Sequence, residues 1–530
     1  MTNDQVNKTV VKNALTGYVR IFIRMGLGLV TFRMLYQGLS TVPEQFGFWS
    51  LLWAVFGYGI LLDFGFGYSA QKRVAELSVH QDWPGLSRVL STIFFFYCIM
   101  AAVAVGVGVL ASGPLIDLFK VSAAHREEYR FIMMVFLAGI GLCFPFGIFP
   151  EVLQGQQRIA ASNNISIMAT VLNFIAVGCV VYFHLSFLTL VILSLLSMLL
   201  PNIYAAKLSM DHLPGVRIRP SLFSWDTMFD TGKFSVYAYT NTLSNVLRNK
   251  TDQPVISSLL GVAAITPYQA GSKVGEMFGI LTRQIADVLS PSAAHLHAKG
   301  DAQALRTMMI NGMRFSVLAA TPLYVVTAAY VDGVIRLLTG VKIVTGPMFW
   351  AGELLLFWYY SLVLTHWVFK TMFMMAGQER KMMQQGVTEA VCNLALSIGL
   401  TIWIKHVWGV DWGILGVALG SVVPTFIFGW GFIWGWAAKE AGLGRWALFR
   451  EVILKTWVAS VPMALLAAAF RFQPWWLSGS NTLRVLLESS VVVAFGLVGL
   501  WKFALSPAER TSFSAKFGRK FGGRGKGRTA

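Results

Sequence analysis

Residues 20–76 read RIFIRMGLGLVTFRMLYQGLSTVPEQFGFWSLLWAVFGYGILLDFGFGYSAQKRVAE. Two apolar runs, Leu15–Leu35 and Phe46–Ser69, are each close to the ~20 residues that a helix needs to cross a bilayer. The first nevertheless carries Arg20, Arg24 and Arg33, and the second carries Asp63. Charge inside a span is costly, so such residues face a bundle interior or a water-filled cavity. At roughly 100° per residue, Asn13, Gly17, Arg20, Arg24, Gly28 and Thr31 share one stripe of the first helix. That stripe is polar, cationic and small. Lipid rejects such a face, whereas an anionic ligand fits it.

The rest of the composition agrees with a membrane setting. Of 530 residues, 55% are hydrophobic and only 13% charged, against about 25% in soluble domains. Mean hydropathy is +0.61, which makes this an integral membrane protein with little soluble mass. The formal net charge of +18 sits largely in loops and in the tail, where basic residues orient spans rather than bind nucleic acid. Cys98, Cys143, Cys179 and Cys392 all lie in apolar runs with no CxxC spacing, as packing residues do. The first residues lack the short apolar core and small-residue site of a cleavable signal, so the first span is expected to be an uncleaved anchor.

The apolar runs predict an all-α fold of about fourteen spans, at roughly 15–36, 46–69, 89–111, 131–150, 163–183, 185–206, 232–250, 255–283, 308–331, 347–370, 384–404, 411–437, 453–470 and 484–504. Only a short turn around His184 separates the fifth from the sixth. Pro145, Pro201, Pro322, Pro424 and Pro462 fall within spans and are expected to bend them. Lys and Arg concentrate in 71–88, 207–233, 284–306, 439–455 and the tail, which places these segments and both termini in the cytoplasm. No loop is long enough for an extramembrane catalytic domain.

A weak repeat relates Gly38-Leu39-Ser40 and Phe46-Gly47 to Leu259-Leu260-Gly261 and Tyr268. It divides the chain into a six-helix lobe (1–206), a cytoplasmic linker (207–231), a second six-helix lobe (232–437), two further spans (438–505) and a basic tail (506–530).

The seventh and eighth spans hold the second polar constellation. Lys233, Tyr237, Thr240, Asn241, Ser244 and Arg248 share one helical face, and Gln269, Lys273, Glu276, Arg283 and Asp287 share another. Stripes of five or six polar residues point to a wetted lumen. Arg20, Arg24, Lys233, Tyr237, Asn241, Ser244, Arg248, Lys273 and Arg283 are therefore the candidate substrate-binding residues. Arg20, Lys233, Arg248 and Arg283 also lie near span ends, where they can reach the headgroups. Lys273 and Glu276, three apart, can neutralise each other. Asp63, Glu276, Glu353 and Glu389 are candidate ion-coupling carboxylates, since buried carboxylates can titrate near neutral pH. Enzyme signatures such as GxSxG, GxxxxGK[ST] and HExxH are absent, and no metal-ligand or cofactor pattern is present. His295 and His297 read as loop histidines.

Several stretches resemble one known family. Leu35–Glu76, with its EQFGFWSL and YGILLDFGFGYSAQKRVAE runs, is similar to the start of the polysaccharide exporters. These are the O-antigen and exopolysaccharide flippases of the multidrug/oligosaccharidyl-lipid/polysaccharide (MOP) exporter superfamily. VLQGQQR at 152–158 and NKTD at 249–252 extend the resemblance over the first 300 residues. Ser40, where these proteins often carry Gly, and the long basic tail are departures that do not touch the candidate cavity. The resemblance implies a V-shaped pair of lobes, as in multidrug (MATE) exporters, around a cavity that opens alternately to each side of the bacterial inner membrane. It also implies a polyprenyl-pyrophosphate-linked oligosaccharide as substrate, with a polysaccharide polymerase and glycosyltransferases as functional partners. A cation-coupled multidrug exporter is the alternative, but it calls for an acidic or apolar cavity rather than a cationic one. A membrane-embedded glycan ligase or polymerase calls for a large external loop that the sequence lacks.

Reporter fusions test the orientation. Fusions at Lys120 and Arg336 are expected to report periplasm, and fusions at Arg219 and Arg445 cytoplasm. A periplasmic signal at Arg219 would sink this topology.

Overall fold

The computed structural model describes residues 3–59, 66–232, 243, 244, 246–248, 250–472, 481–505, 507 and 509–511. Regular structure among them is helical throughout. The chain runs through α1 (Asn3–Leu39), α2 (Pro43–Gly59), α3 (Phe66–Val79), α4 (Trp83–Leu118), α5 (Arg126–Cys143), α6 (Ile148–Gly155), α7 (Ile159–Tyr182), α8 (Phe187–Met210) and α9 (Trp225–Gly232). It continues through α10 (Asp252–Leu260), α11 (Ile265–Ala298), α12 (Ala302–Ala329), α13 (Val331–Thr339), α14 (Gly346–Thr365), α15 (Trp367–Met375) and α16 (Glu379–Trp408). The last helices are α17 (Ile414–Phe428), α18 (Trp434–Glu440), α19 (Arg445–Phe449), α20 (Lys455–Phe472) and α21 (Asn481–Phe503), with π-helical turns joining α17 to α18 and α19 to α20.

Local chemistry sets several boundaries. Asp82, Ser186 and Asp301 cap α4, α8 and α12 by accepting bonds from Gly85, Thr189 and Ala304 amides. His184 sits at φ +49° in the turn that separates α7 from α8, as the sequence anticipates. Pro145 opens a 3₁₀ turn between α5 and α6, and the two segments meet at a 40° bend. Pro201, Pro322, Pro424 and Pro462 instead lie inside continuous helices.

Nine helices among the described residues are long and apolar enough to cross a membrane, and the bent pair α5–α6 makes a tenth. The expected first, second, seventh and eighth spans are not in that set. α1 carries Arg20, Arg24 and Arg33, α2 has 17 residues, and α11 carries Lys273, Glu276, Arg283 and Asp287. Most of the seventh, expected at 232–250, lies outside the described residues. The border between the seventh and eighth needs correcting. The sequence places one span across 255–283, whereas Gly261 at φ +99° ends α10 and a short 3₁₀ turn leads into α11. A left-handed glycine terminates a helix because the turn costs it no Cβ clash.

The described residues fall into two compact units. The first takes in the chain up to Gln269, with Leu338–Val341 and Gly386–Val417. The second comprises Ala270–Leu337, Lys342–Gln385 and the chain from Ala418 onward. This division by packing differs from the lobes drawn on the sequence, because α10 and most of α16 pack with the N-terminal helices.

In the first unit, Phe66, Val74, Leu86, Leu90, Ile148 and Met228 form a core that joins α3, α4, α6 and α9. Asn163 donates to Thr16, fixing α7 against α1 at 3.1 Å. Gly47 of α2 lies directly on the Val262 carbonyl, where any Cβ would collide, and Thr266 donates to the Pro43 carbonyl at 2.6 Å.

In the second unit, Gly271, Gly275 and Gly279 form a stripe on α11 that rests against α14. A Cβ at Gly275 would sit 2.8 Å from the Tyr359 ring and 2.9 Å from the Leu355 carbonyl. Small residues at four-residue spacing let membrane helices approach to backbone contact. The last two helices pack on α12 through Met463, Ala467 and Val492 against Val325, Val326 and Ala329. Arg314 reinforces this with a two-pronged pair to Glu509 at 2.7 and 2.8 Å.

Gly275→Leu is expected to cost ~1–3 kcal/mol through overpacking, read as a lower thermal unfolding midpoint in detergent. Gly26→Ala adds a carbon that meets nothing within 4 Å and should show no loss.

Candidate functional site

The structure places the expected residues unequally. On α1, in the first unit, Arg20 is half-buried and Arg24 exposed, one turn apart. Arg33, about half a turn round the helix, is also exposed. Lys233, Tyr237, Asn241 and Asp63 lie outside the described residues. Ser244 is buried. Arg248 reaches Glu389 of α16 at 3.4 Å, with the Glu389 side chain 0% exposed.

In the second unit, Lys273 and Glu276 form the local pair that their spacing predicts, at 2.8 Å. Lys273 is the more enclosed partner. Arg283 and Asp287 pair at 3.7 Å with both side chains exposed, a geometry worth little in stability. Glu353 is half-buried on α14, with Arg471 and Asp332 as the charges acting on it. Asp332 in turn accepts from Arg471 at 3.3 Å and lies 3.5 Å from Arg336.

Sequence reasoning singled out Glu389 but passed over its surroundings. Gln385, Glu389, Asn393, Ser397 and Thr401 are all buried and recur at strict four-residue spacing on α16. They form one buried polar line along the helix. The hydroxyls of Ser397 and Thr401 are buried without a hydrogen-bond partner among the described residues. Lys405 continues the line and donates to the Leu259 carbonyl at 3.0 Å, where Lys120 also donates at 2.9 Å. Two ammonium groups thus meet the carbonyl end of α10, the end that favours cations. The four-residue periodicity was the available signal. Asp252, quoted in the sequence only as part of a motif, accepts a 2.5 Å bond from Tyr268 across the α10–α11 turn.

Chemically, the described carboxylates of the two pairs are already balanced. Glu389 is neutralised by Arg248 and Glu276 by Lys273. Arg20 and Arg24 bring two guanidinium groups to one face of α1, a donor set that suits phosphate oxygens. No cluster of three or more His, Cys, Asp or Glu side chains that could hold a metal occurs among the described residues.

The profile of the family described as "Polysaccharide biosynthesis protein" matches residues 41–344, more than half of the chain. The chain belongs to that family. Its fold is similar to those of solved transporters of the MOP superfamily. The lipid II flippase MurJ in an inward closed conformation is similar over 93% of this chain and 99% of its own, with TM-score 0.67 and 11% identity. An inward-facing multidrug resistance MATE family transporter of the MOP superfamily covers 81% of this chain and 96% of its own, with TM-score 0.63 and 16% identity. A MOP superfamily transporter from Pyrococcus furiosus Vc1 (DSM3638), described as having a binding pocket of reverse polarity, matches over 81% and 96% with TM-score 0.55 and 16% identity. At these identities the likeness is one of fold. No curated protein matches the chain. This member of the polysaccharide biosynthesis family is thus a multi-pass membrane protein, and the solved structures whose fold it shares are those of transporters and a flippase.

The buried pair carries a stability prediction. Arg248→Ala removes the charge that faces the buried Glu389 carboxylate and is expected to cost ~3–5 kcal/mol, seen as a lower folded yield and melting midpoint. Replacing both residues by Met should recover most of that loss. A double variant as unstable as Arg248→Ala would contradict the electrostatic account.

Proposed function

We propose that this protein carries a polyprenyl-pyrophosphate-linked oligosaccharide, an O-antigen or exopolysaccharide repeat unit, across the bacterial cytoplasmic membrane by alternating access. The observation that carries the reading is the pair Arg20 and Arg24 on one face of the long helix α1, in a chain of the polysaccharide biosynthesis family. A pyrophosphate cannot enter hydrocarbon without counter-charge, and guanidinium forks meet its oxygens two at a time. Hydroxyl and amide side chains of the seventh span would hydrogen-bond the sugars while the polyprenyl chain stays in lipid. Export of organic cations calls for available carboxylates, and Glu276 and Glu389 are both engaged by basic partners.

In this reading both termini lie in the cytoplasm, and glycosyltransferases and a polymerase would act before and after the translocation step. An inside-negative potential favours outward movement of an anion by about 2.3 kcal/mol per charge per 100 mV. Return of the unloaded carrier needs its own bias, for which a proton on Glu276 or Glu353 is the simplest source.

A leaflet assay of a labelled lipid-linked glycan in reconstituted vesicles tests this. Arg24→Ala and Lys273→Ala should abolish translocation at normal membrane abundance, while Arg24→Lys, which keeps charge but loses the fork, retains part of it. Parental rates in Arg24→Ala would remove Arg24 from the pyrophosphate site. In the same vesicles Glu276→Gln should lose the dependence on a pH gradient and keep that on potential. An unchanged pH-gradient dependence would reduce Glu276 to a partner of Lys273.

A further inference from the structure

The segment between α8 and α9 is fastened along α4. The backbone amides of Arg217, Arg219 and Ser224 donate to Ser87, Ser91 and Thr92 hydroxyls at 3.0, 3.1 and 3.2 Å. The Ser91 hydroxyl donates back to the Arg217 carbonyl, and those of Ser87 and Thr92 donate to carbonyls one turn earlier in α4. All three hydroxyl side chains are buried. Leu213 and Met228 sink into the core of the first unit at either end of this strap. Residues 213–228 are therefore held rigidly, although they have the look of a linker in the sequence.

What the strap presents outward is unusual for a loop. Trp225 and Phe229, one turn apart on α9, are 55% and 62% exposed. Phe223 stands edge-on to Trp225 at 5.1 Å. Arg88, Arg217 and Arg219 are exposed on the same stretch, brought together by the strap's bonds to Ser87 and Ser91. Phe223, Trp225 and Phe229 follow the end of α8, at the level of the first turns of α4. Both of those helices are long and apolar enough to cross the membrane. The strap thus lies where they leave the bilayer.

We propose that Phe223, Trp225 and Phe229 seat in the headgroup layer of the bilayer, with Arg217 and Arg219 on the phosphates of anionic lipid. Indole and phenyl rings beside basic side chains favour that layer, and a surface helix with an aromatic face lies in its plane. The strap makes this anchor rigid, so no ordering is left for the moment of contact. The site depends on membrane insertion alone and not on which substrate is carried.

Depth measurement tests it. In a variant with Cys98, Cys143, Cys179 and Cys392 replaced by Ala, a nitroxide at Phe229→Cys is compared with one at Lys299→Cys, an exposed position in the turn after α11. Reconstitution is into vesicles of phosphatidylcholine with phosphatidylglycerol. The label at 229 should collide with oxygen more than with an aqueous nickel chelate, by several-fold relative to the label at 299. Arg217→Gln with Arg219→Gln, or omission of phosphatidylglycerol, should shift it toward water. A label at 229 as open to the chelate as that at 299 would overturn the proposal and mark the face as awaiting a soluble partner. Depth without any response to lipid charge would overturn the role of the arginines. Should the cysteine replacements fail to fold, the chain with its native cysteines serves. Quenching by shallow brominated lipid should then exceed that of Trp225→Phe, and equal quenching of the two counts against the anchor.

Discussion

A carboxylate buried in a membrane protein must be matched by a positive charge or take up a proton, and the contact between Arg248 and Glu389 supplies the charge in the first unit. It joins the helical residues just before α10 to a helix more than a hundred residues further on. The partnership sets the register of two helices. With Glu389 opposite Arg248, the four-residue line along α16 runs on to Lys405, whose ammonium then meets the carbonyl end of α10. Lys120 arrives at the same oxygen from the loop after α4. The left-handed Gly261 follows, and the chain turns onto α2, where Gly47 leaves room for a carbonyl. One electrostatic obligation is therefore continued by a series of close backbone approaches.

The second unit solves its packing differently. Hydrophobic burial offers little drive between helices already surrounded by lipid, so association relies on close contact and on polar bonds. The glycine stripe of α11 supplies the first against α14. Arg314 and Asp332 supply the second, tying the last two helices to α12 and α13. Tyr360 does the same within the unit, sharing its hydroxyl with Thr321 and Trp457 at 2.8 Å each. The charges of α11 sit on the same helix as its glycines, so the residues that pack it also hold Lys273 and Glu276 in place.

Features carried by local spacing could be read from the sequence. The cationic stripe of α1, the i,i+3 pair of Lys273 with Glu276, and the turn at His184 all follow from neighbours along the chain. The polar line on α16 was equally local, yet attention to charge picked out Glu389 and passed over its uncharged neighbours. Features that depend on distant partners were hidden. Nothing near Arg248 in the sequence points to Glu389, 141 residues away. The eighth span was drawn through Gly261 because an apolar run continues on both sides of it, and hydropathy does not register a backbone turn. The strap was invisible for another reason, since Ser87, Ser91 and Thr92 look like ordinary polar residues at the start of a helix.

That strap has a consequence for how the sequence is free to drift. Its bonds run from main-chain amides to hydroxyls of α4, so the path of the strap does not depend on the side chains at those three positions, whatever Arg217 and Arg219 do at the membrane surface. Almost any residue except proline can supply an amide at 217, 219 or 224. The hydroxyls at 87, 91 and 92 have no such latitude, because each is buried and serves two bonds at once. The loop can therefore change side chains without losing its course, while the memory of its path is kept on the helix beneath.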